Sequence, residues 1–503
     1  MSKNITIANN AVTAKVIEDD KQAKLLVSSA LSYKVAGSEH MAIFKTGSWD
    51  GRSSFFDWKA GTFPAGFVPL VHSALQKGGY TVRRVRNPLP APLGKEEFWE
   101  IDGFGLDPMY DYQPEVVNKL LKYGQMIAQV ATGGGKSRIA RLSYARIKRP
   151  TLFITTRGVL MYQMKEAVEG YGFKCGIIGD GELSANLEFN VAMVQTIIAH
   201  IKAPDGYDSV EKQEAQAKRR ARMIKFLEKI EFVILEEAHE SSGNSYYDIL
   251  RHCKNANYRL ALTATPFMRD DEEANMRLMG CSGPIGIEVS EKLLIDRGIL
   301  AKPYFKVVKL NEKPTKLYKS TPWQKAYTVG IVNNEFRNAH IVREVQIAAK
   351  VGLTTMILVQ QTKHGQILNE MLQNKGIKSD YIHGEHDQSE RKDALRKLGC
   401  GELSVLIGTS ILDVGVDVPA VGVIILAGGG KAEVALRQRI GRGLRRKKKG
   451  KNVALIVDFY DEHNTHLRDH AKNRINIIKN TPGFGENIME PDFCFYRDLL
   501  LKK

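Results

Sequence analysis

The sequence predicts an α/β protein with two parallel-sheet units in tandem, preceded by a small α+β domain. Short apolar segments alternate with helix-like segments between about residues 96 and 300, and a second series of the same kind runs from 301 to 460. Apolar strands that alternate with helices are typical of parallel sheets that are covered on both faces. Residues 1–95 instead contain short alternating segments and end in a proline-rich stretch, RNPLPAPLGKEE, which is typical of a linker.

These patterns divide the 503 residues into an N-terminal domain (1–95), two α/β domains (96–300 and 301–460) and a polar C-terminal tail (461–503). A chain of this length has room for about three domains, each with its own core. The segment 205–230 is highly charged and has helical spacing, which predicts a solvated helix on the surface of the first sheet.

The composition, with 43% hydrophobic and 26% charged residues, is typical of a soluble globular protein. We expect no membrane span and no secretory signal, because the sequence shows neither a long apolar run nor a basic N-terminal segment followed by an apolar one. Five widely separated cysteines without a CxxC pair argue against a zinc site or a disulfide framework, so a cytoplasmic location is expected. The formal net charge of +17 favours nucleic acid as a partner; the alternative is that the charge only aids solubility.

The segment VATGGGKS (130–137) follows an apolar segment and precedes a helix-like one. Glycines allow backbone N–H groups to turn toward phosphate oxygens, and the start of the helix adds positive potential. Lys136 is expected to reach the β- and γ-phosphates of a nucleotide, and the Ser137 hydroxyl to bind Mg²⁺. Val130 stands where the GxxxxGK[ST] pattern has glycine, but the GKS ending between a strand and a helix still predicts a phosphate-binding loop.

Two carboxylates follow another apolar segment in FVILEEAH (232–239). Ligands of parallel sheets bind beyond the carboxyl ends of the strands, so Glu236 and Glu237 are predicted to lie at the same edge as the phosphate-binding loop. One carboxylate can hold Mg²⁺, and the other can orient or deprotonate the water that attacks the γ-phosphate. The alternative is a helix start whose acidic residues only favour the helix dipole, but the upstream loop favours the catalytic interpretation.

The segment ALRQRIGRGLRR (435–446) is a predicted helix on which Arg442 and Arg445 share one face. Guanidinium groups are suited to phosphate oxygens and can stabilise the charge that develops in phosphoryl transfer. The alternative is a solvated basic helix, and this alternative fits the adjoining RRKKKGK better because that run has no spacing pattern.

Seven segments occur in the order of the superfamily 2 helicase motifs: VATGGGKS, TTRGVL, VQTI, EEAH, TATP, GTSILDVGVDVP and QRIGRGLR. On these segments, which lie between about residues 110 and 446, the chain resembles that superfamily. The resemblance implies two tandem RecA-like domains, ATP and Mg²⁺ as cofactors, and nucleic acid as the partner. The N-terminal TGSWDGRSSFFDW…FPAGFVPLV also resembles the leading domain of the phage UvsW-type branch-migration helicases, which implies branched DNA as substrate. For a phage-encoded protein, the location would be the host cytoplasm.

The resemblance also implies roles for individual residues. Gln113 would read the adenine edge, with Tyr110 or Tyr112 near the ring. The other nucleotide-binding residues would be Thr132, Gly133, Gly134, Gly135, Lys136, Ser137, His239, Gly415 and Asp417. The catalytic residues would be Lys136, Glu236, Glu237, Gln438, Arg442 and Arg445, with Ser137 and Glu236 as metal ligands and the two arginines as finger candidates. The residues that contact the nucleic-acid backbone would be Thr156, Arg157, Gln195, Thr196, Gln360 and Thr409.

Two positions need separate comment. Glu236 stands where the superfamily usually has Asp, and its extra methylene moves the carboxylate by about 1.5 Å. Because Mg²⁺ keeps several waters and is often held indirectly, we expect activity to survive this change. In the N-terminal domain, Trp49 and Arg52 mix aromatic and basic character that suits stacking on bases or a DNA junction; the alternative is a small aromatic core, which is favoured for Phe55 and Phe56.

The sequence therefore favours an ATP-dependent DNA helicase or translocase that acts on Holliday junctions, forks or R-loops, with branch migration or unwinding driven by ATP hydrolysis. RNA–DNA hybrids are a further candidate substrate. Two alternatives stay open: a translocase on double-stranded DNA that does not separate strands, and an ATP-gated nucleic-acid clamp with weak turnover. The polarity of translocation, the oligomeric state and protein partners do not follow from the sequence.

Overall fold

The computed structural model describes residues 3–238, 243–267, 271–409, 419–430, 433–447, 450–490 and 493–501. Contacts divide the chain into a first unit of residues 1–130 and 135–288 and a second unit of residues 131–134 and 289–503. The N-terminal segment 1–95 therefore groups with the first α/β domain, and the segment after 460 groups with the second.

The N-terminal segment is an α+β domain, as the sequence predicts. Its described helices and strands are β1 (Lys3–Asn9), β2 (Thr13–Val16), α1 (Lys21–Ala30), β3 (Ser32–Lys34), α2 (Ala42–Lys45), β4 (Arg52–Ser54), β5 (Thr62–Pro64), α3 (Val68–Lys77) and β6 (Tyr80–Arg86). The larger sheet has the order β5-β2-β1-β6. Alternate strand residues such as Ile5 and Ile7 are buried against apolar residues of α1 and α3, including Val27 and Val71.

The remainder of the first unit is built on a mainly parallel sheet. Its described elements are α4 (Tyr112–Tyr123), β7 (Gln125–Val130), α5 (Lys136–Ile147), β8 (Thr151–Thr155), α6 (Gly158–Glu169), β9 (Cys175–Gly179), β10 (Glu182–Leu183), β11 (Phe189–Met193), α7 (Val194–Ile201), α8 (Val210–Leu227), β12 (Phe232–Glu236), α9 (Gly243–Leu250), β13 (Tyr258–Thr263), α10 (Glu272–Ser282) and β14 (Ile285–Val289). The strand order is β10-β9-β11-β8-β12-β13-β7-β14. Strands β9, β11, β8, β12, β13 and β7 pair in parallel, whereas β10 is antiparallel to β9. The central strands β8, β12 and β13 are buried at every residue, which explains why they are mainly apolar in the sequence.

The second unit contains a parallel sheet, as predicted for the second α/β series. Its described elements are α11 (Glu291–Asp296), β15 (Lys302–Lys309), α12 (Trp323–Tyr327), α13 (Glu335–Lys350), β16 (Thr355–Leu358), α14 (Thr362–Gln373), β17 (Ser379–Ile382), α15 (Gln388–Cys400), β18 (Val405–Gly408), β19 (Val423–Ile425), α16 (Glu433–Gly443), β20 (Val453–Tyr460) and α17 (Thr465–Asn480). The order β15-β20-β19-β16-β18-β17 is formed by parallel pairs throughout.

The segment after residue 460 is packed against the second unit. Leu467 on α17 is buried beside Tyr327, and Phe495 and Tyr496 are buried in the core of the second sheet. The predicted polar tail is thus part of the packed second unit in its described residues. Throughout the described ranges, no helix combines the length and the apolar character that a membrane crossing would need.

The buried His364 on α14 makes the stability of the second unit depend on pH. Its side chain is fully buried, and its Nε2 lies 3.0 Å from Oδ1 of Asn338. Burial, assisted by the nearby positive charge of Arg337, lowers the pKa of His364 from 6.5 to about 3. The unfolded chain therefore takes up a proton near pH 6.5 that the folded chain excludes until about pH 3, so stability falls as the pH drops through this interval.

We expect His364→Gln to remove most of this acid sensitivity. The group's contribution to the loss of unfolding free energy between pH 7 and pH 5 is about 2 kcal/mol, because each pH unit below the unfolded pKa costs about 1.4 kcal/mol. Denaturant unfolding measured at pH 7, 6 and 5 tests this. The matched change at the exposed His40, His40→Gln, should leave the pH dependence unchanged; equal slopes for the wild type and His364→Gln would contradict the assignment.

Candidate nucleotide-binding site

The predicted phosphate-binding loop connects β7 to α5 in the structure. Gly133 has φ of 89° and Gly135 has φ of 80°, values in the left-handed region that favours glycine. Gly135 also precedes the first residue of α5, Lys136, at the helix N-terminus. A Cβ atom at Gly135 would lie 2.4 Å from Nε2 of Gln113, so a side chain there would displace the Gln113 amide. The segment therefore has the backbone conformation and the helix start that a phosphate-binding loop requires.

The two carboxylates lie at the carboxyl end of β12, which is the same sheet edge. Glu236 is the last residue of the strand, and Glu237 follows it in a turn. The Nζ of Lys136 lies 3.5 Å from Oε1 of Glu237, and the two residues are only 9% and 8% exposed. Burial strengthens the attraction between these opposite charges, because solvent screens them little. The structure thus brings the lysine of the loop and the second carboxylate together.

Glu237 has a strained backbone. Its φ of 45° is in the left-handed region, which residues other than glycine adopt at a cost of about 1–3 kcal/mol. The peptides on either side of Glu237 are both fixed, since the hydroxyl of Tyr246 donates to the Glu236 carbonyl at 3.2 Å and the Ala238 N–H donates to the Leu262 carbonyl at 3.3 Å. Strain of this kind is concentrated at functional sites, where the fold holds a side chain in a required direction.

Gln113 is held beside the loop by a residue that the sequence analysis missed. Gln113 is only 2% exposed, and its Oε1 accepts a hydrogen bond from Nη1 of Arg138 at 2.7 Å. Arg138 also forms a two-pronged pair with Asp102, at 2.6 Å and 3.0 Å, and its guanidinium lies 4.5 Å from the centroid of the Phe104 ring. Burial acts to raise the pKa of Asp102, but hydrogen bonds from Arg138 and from the Phe104 backbone outweigh it and lower the pKa.

The predicted tyrosines differ in their surroundings. Tyr112 is 3% exposed, whereas Tyr110 is partly exposed and its ring centroid lies 5.4 Å from that of Phe104. Only the position of Arg138 directly after Ser137 gave a sequence signal for this cluster. Asp102 lies 36 residues before Arg138, and no spacing pattern connects the two.

The candidate nucleic-acid contacts form a group in each sheet. In the first unit, Thr156 follows β8 and Gln195 lies in the first turn of α7, and Nε2 of Gln195 lies 3.5 Å from the Thr156 carbonyl. The adjacent candidates Arg157 and Thr196 are partly exposed. In the second unit, the candidates follow two neighbouring parallel strands, β16 and β18; they are Gln360 and Thr409.

Trp49 and Arg52 lie together in the N-terminal domain. The indole N–H of Trp49 donates to the Arg52 carbonyl at 2.6 Å. The Arg52 guanidinium contacts the Ser32 carbonyl at 3.2 Å and Glu272 on α10 at 3.3 Å. Arg52 therefore also helps to attach the N-terminal domain to the first α/β domain.

The arginine-bearing segment forms α16 and the residues that follow it. Gln438 and Arg442 lie on this helix, and their side chains are outside the described part of the structure. Arg445 follows the helix, is exposed, and pairs through its backbone with Leu300. The predicted nucleotide contacts His239, Gly415 and Asp417 lie outside the described residues.

A turn of consecutive glycines precedes α16, and buried side chains fix it. Gly429 and Gly430 have φ values of 57° and 140°. Backbone carbonyls in and beside the turn accept hydrogen bonds from side chains of three helices: Arg337 on α13 to Ala427 (3.0 Å), Tyr327 on α12 to Gly428 (2.5 Å) and Arg474 on α17 to Gly430 (3.0 Å). The direction in which α16 leaves the sheet is thus set by packed helices of its own unit.

Both arginines at this turn belong to buried ion pairs. Nη1 of Arg337 lies 2.9 Å from each carboxylate oxygen of Asp461, and Nε of Arg474 lies 2.9 Å from Oδ2 of Asp458. Asp458 and Asp461 come from the end of β20 and the residue after it, so the strand and the turn are connected through the two guanidinium groups.

Two family models match the chain in succession. The model described as the res subunit of type III restriction enzymes matches residues 107–268, and the helicase conserved C-terminal domain matches residues 338–447. The first match contains the predicted phosphate-binding loop and both carboxylates, and the second contains α16.

Two relatives whose names describe action on DNA align with most of the chain. The DNA 3'-5' translocase XPB2 of Sulfurisphaera tokodaii is 26% identical over 418 residues, which is 76% of this chain and 87% of the relative. The ATP-dependent DNA helicase uvsW of Enterobacteria phage T4 is 22% identical over 460 residues, which is 86% of this chain and 85% of the relative. The chain spans less than half the length of two other relatives it matches, 46% of one from Sulfolobus islandicus filamentous virus and 34% of one from Saccharomyces cerevisiae.

The fold also matches a solved structure. The helicase MrfA, solved with DNA and AMPPNP, aligns over 78% of this chain and 54% of that chain with a TM-score of 0.56 and 15% identity. At this identity the match shows the fold, which is that of two RecA-like parallel-sheet domains in tandem. The two family matches, in this order along the chain, and the relatives named above are those of a superfamily 2 helicase, a class of ATP-hydrolysing enzymes, and the chain resembles the UvsW helicase.

Proposed function

We propose that this chain is an ATP-dependent DNA helicase or translocase that acts on branched DNA, with branch migration or unwinding driven by ATP hydrolysis. The observation that carries the proposal is the buried pair of Lys136 and Glu237, 3.5 Å apart, beside a glycine loop at the carboxyl edge of a parallel sheet. A cation, a helix start and a carboxylate at this edge are the groups that bind a nucleotide triphosphate and activate water.

The proposed mechanism assigns a role to each described group. Lys136 binds the β- and γ-phosphates, and its attraction to Glu237 weakens as it takes up phosphate contacts. Glu237, directed by its strained turn, orients the attacking water and accepts its proton. Gln113, whose oxygen is held by Arg138, presents its amide beside the loop for the adenine ring. The loop residues Thr132, Gly133, Gly134 and Gly135 supply backbone N–H groups to the phosphates.

Mg²⁺ fits the donors present. The Ser137 hydroxyl and the Glu236 carboxylate are hard oxygen ligands at the same sheet edge, and Mg²⁺ takes such ligands while keeping several waters. When bound with ATP, the ion neutralises charge that develops on the phosphates. A retained water shell would allow Glu236 to take the place of the usual Asp.

We propose further that residues of both units take part in nucleotide binding and in DNA binding. Gln438, Arg442 and Arg445 would stabilise the transferred phosphoryl group, and His239, Gly415 and Asp417 would contact the nucleotide. Thr156, Arg157, Gln195, Thr196, Gln360 and Thr409 would bind the backbone of one strand, so binding would depend on salt more than on sequence. Trp49 and Arg52 would contact a junction.

The choice of branched DNA draws on the resemblance to the UvsW helicase of phage T4, and the translocase named among the relatives favours a second candidate, movement on duplex DNA without strand separation. RNA–DNA hybrids are included as substrates, and host cytoplasm is proposed as the location if the chain is phage-encoded.

One assay separates these functions. Phosphate release is measured with single-stranded DNA, duplex DNA, a four-way junction and an RNA–DNA hybrid, and strand displacement is followed on the junction. We expect the junction to stimulate the ATPase most and to be separated into its component strands or duplexes. Lys136→Ala should be inactive in both measurements. Equal stimulation by plain duplex without displacement would identify a duplex translocase, and binding without stimulation would identify a clamp.

A further inference from the structure

Helix α8 has a strongly basic exposed face that the nucleotide site does not use. The helix contains 18 residues and interrupts the first α/β domain between α7 and β12. Its first half mixes acidic and basic residues, whereas its second half and the turn after it expose five cations: Lys218, Arg219, Arg222, Lys225 and Lys229. An average solvated helix instead alternates charges of both signs.

These cations are not neutralised by the described residues around them. The ion pairs found near this helix join Lys212 to Asp208 at 3.9 Å and Lys254 to Glu228 at 2.7 Å, and neither includes one of the five. Within the described part of the chain, no carboxylate lies within 4 Å of their nitrogens. The positive potential of this face is therefore available to an external anion.

The packing of α8 fixes the direction of this face. Met223 and Leu227 are buried in the core with residues of α7. The guanidinium of Arg220 donates to the Ile201 carbonyl at 2.9 Å, and Nε2 of Gln216 donates to the Ala199 and Lys202 carbonyls at 3.1 Å and 3.0 Å. These bonds satisfy carbonyl groups at the end of α7, so the two helices are joined firmly and the cations point away from the core.

The position of α7 connects the basic face to the proposed DNA-binding residues. Gln195 and Thr196 lie in the first turn of α7, and α8 is bonded to the other end of the same helix. An eight-residue helix is about 12 Å long, so the basic face begins at about that distance from the proposed strand contacts. The five cations lie within the twelve residues from 218 to 229, a largely helical segment whose ends are about 16 Å apart along the axis.

We propose that the basic face of α8, defined by Lys218, Arg219, Arg222, Lys225 and Lys229, binds the phosphate backbone of double-stranded DNA beside the strand held by the first α/β domain. This proposal rests on the proposed DNA-dependent function. Duplex DNA fits because it carries a charge for about every 1.7 Å of its axis, so a face about 16 Å long meets several phosphates without reading bases. The face would hold a duplex arm of a branched substrate while the motor residues act on one strand.

The test measures the salt dependence of binding to a 30-base-pair duplex and to a single strand of equal length. The variant carries Lys218→Gln, Arg219→Gln, Arg222→Gln and Lys225→Gln. Each lost phosphate contact lowers the slope of log K against log salt by about 0.9 for a duplex. We expect the duplex slope to fall by about 2–4 and the single-strand slope to change by less than one, with ATPase activity in the absence of DNA unchanged.

A matched control removes the same amount of charge elsewhere. Lys350, Lys375, Lys378 and Lys392 are exposed on the second unit, and their joint replacement by glutamine also lowers the net charge by four. If the control lowers the duplex slope as much as the α8 variant, the effect is one of net charge and the proposal is wrong. An unchanged slope in the α8 variant, or an equal loss on single strands, would also overturn it.

Two further readouts keep the outcomes distinct. If the fourfold variant shows a lowered unfolding midpoint, the double change Arg222→Gln and Lys225→Gln replaces it and should lower the duplex slope by about 1–2. If the wild type itself neither binds DNA nor shows DNA-stimulated phosphate release, the proposed function fails; if it does both and the variants match it, only the α8 proposal fails.

Discussion

Replacement of Glu237 by glutamine is expected to lower ATP turnover by about 10²–10⁴-fold while ATP still binds, because general-base catalysis contributes about that factor. Glutamine keeps the size of the side chain but cannot accept a proton from water. The change also removes the negative charge 3.5 Å from Lys136, which leaves the ammonium group available to the phosphates. We therefore expect the affinity for ATP to be maintained or increased.

Single-turnover phosphate release and equilibrium binding of a fluorescent ATP analogue measure the two effects separately. Glu228→Gln, a change of the same kind at a surface ion pair with Lys254, serves as the matched control and should retain turnover. Glu236→Asp should keep or raise activity, since it shortens a proposed metal ligand to the usual length. Hydrolysis by Glu237→Gln at the wild-type rate would exclude Glu237 as the base.

Replacement of Arg337 by methionine is expected to lower the unfolding free energy of the second unit by about 3–5 kcal/mol, because it breaks a buried ion pair and leaves one charge alone. Arg337 is fully buried, and Nη1 lies 2.9 Å from both carboxylate oxygens of Asp461. Methionine has a similar length but leaves Asp461 and the Ala427 carbonyl without their guanidinium donor.

Denaturant unfolding, followed by a probe in the second unit, gives the measurement. The double change Arg337→Met and Asp461→Leu should recover a large part of the loss, because it removes the uncompensated charge as well. Arg396→Met removes an exposed arginine that pairs with Asp393 at 2.9 Å and is the matched control, for which we expect no measurable shift. Equal losses of unfolding free energy for Arg337→Met and Arg396→Met would show that burial does not increase the cost of breaking the ion pair.

The parts of the fold that were predicted correctly depend on patterns of neighbouring residues. Strand β12 begins with an apolar run because both of its faces are covered, and the glycine loop between a strand and a helix is visible as a local sequence pattern. The rule that ligands bind at the carboxyl ends of parallel strands then placed Lys136 and Glu237 at one edge. No knowledge of the distant packing was needed for these predictions.

The missed features depend on contacts between distant residues. Arg138 and Asp102 are 36 residues apart, and Arg337 and Asp461 are 124 residues apart, so no short pattern joins the members of either pair. The segment after residue 460 was predicted to be a polar tail because most of α17 is polar. Its buried face is made by a few residues at helical spacing, such as Leu467, Ala471 and Ile478, which composition alone obscures.

The glycine turn before α16 determines how the movement of this helix is coupled to the rest of the second unit. Because its carbonyl groups accept hydrogen bonds from α12, α13 and α17, the turn is held in one position relative to these helices. We therefore expect a reorientation of α16 to be coupled to movement of α12, α13 and α17. For the same reason, we expect a conservative change in α17, such as Arg474→Lys, to alter the rate of ATP turnover, although Arg474 is not among the proposed nucleotide-binding residues.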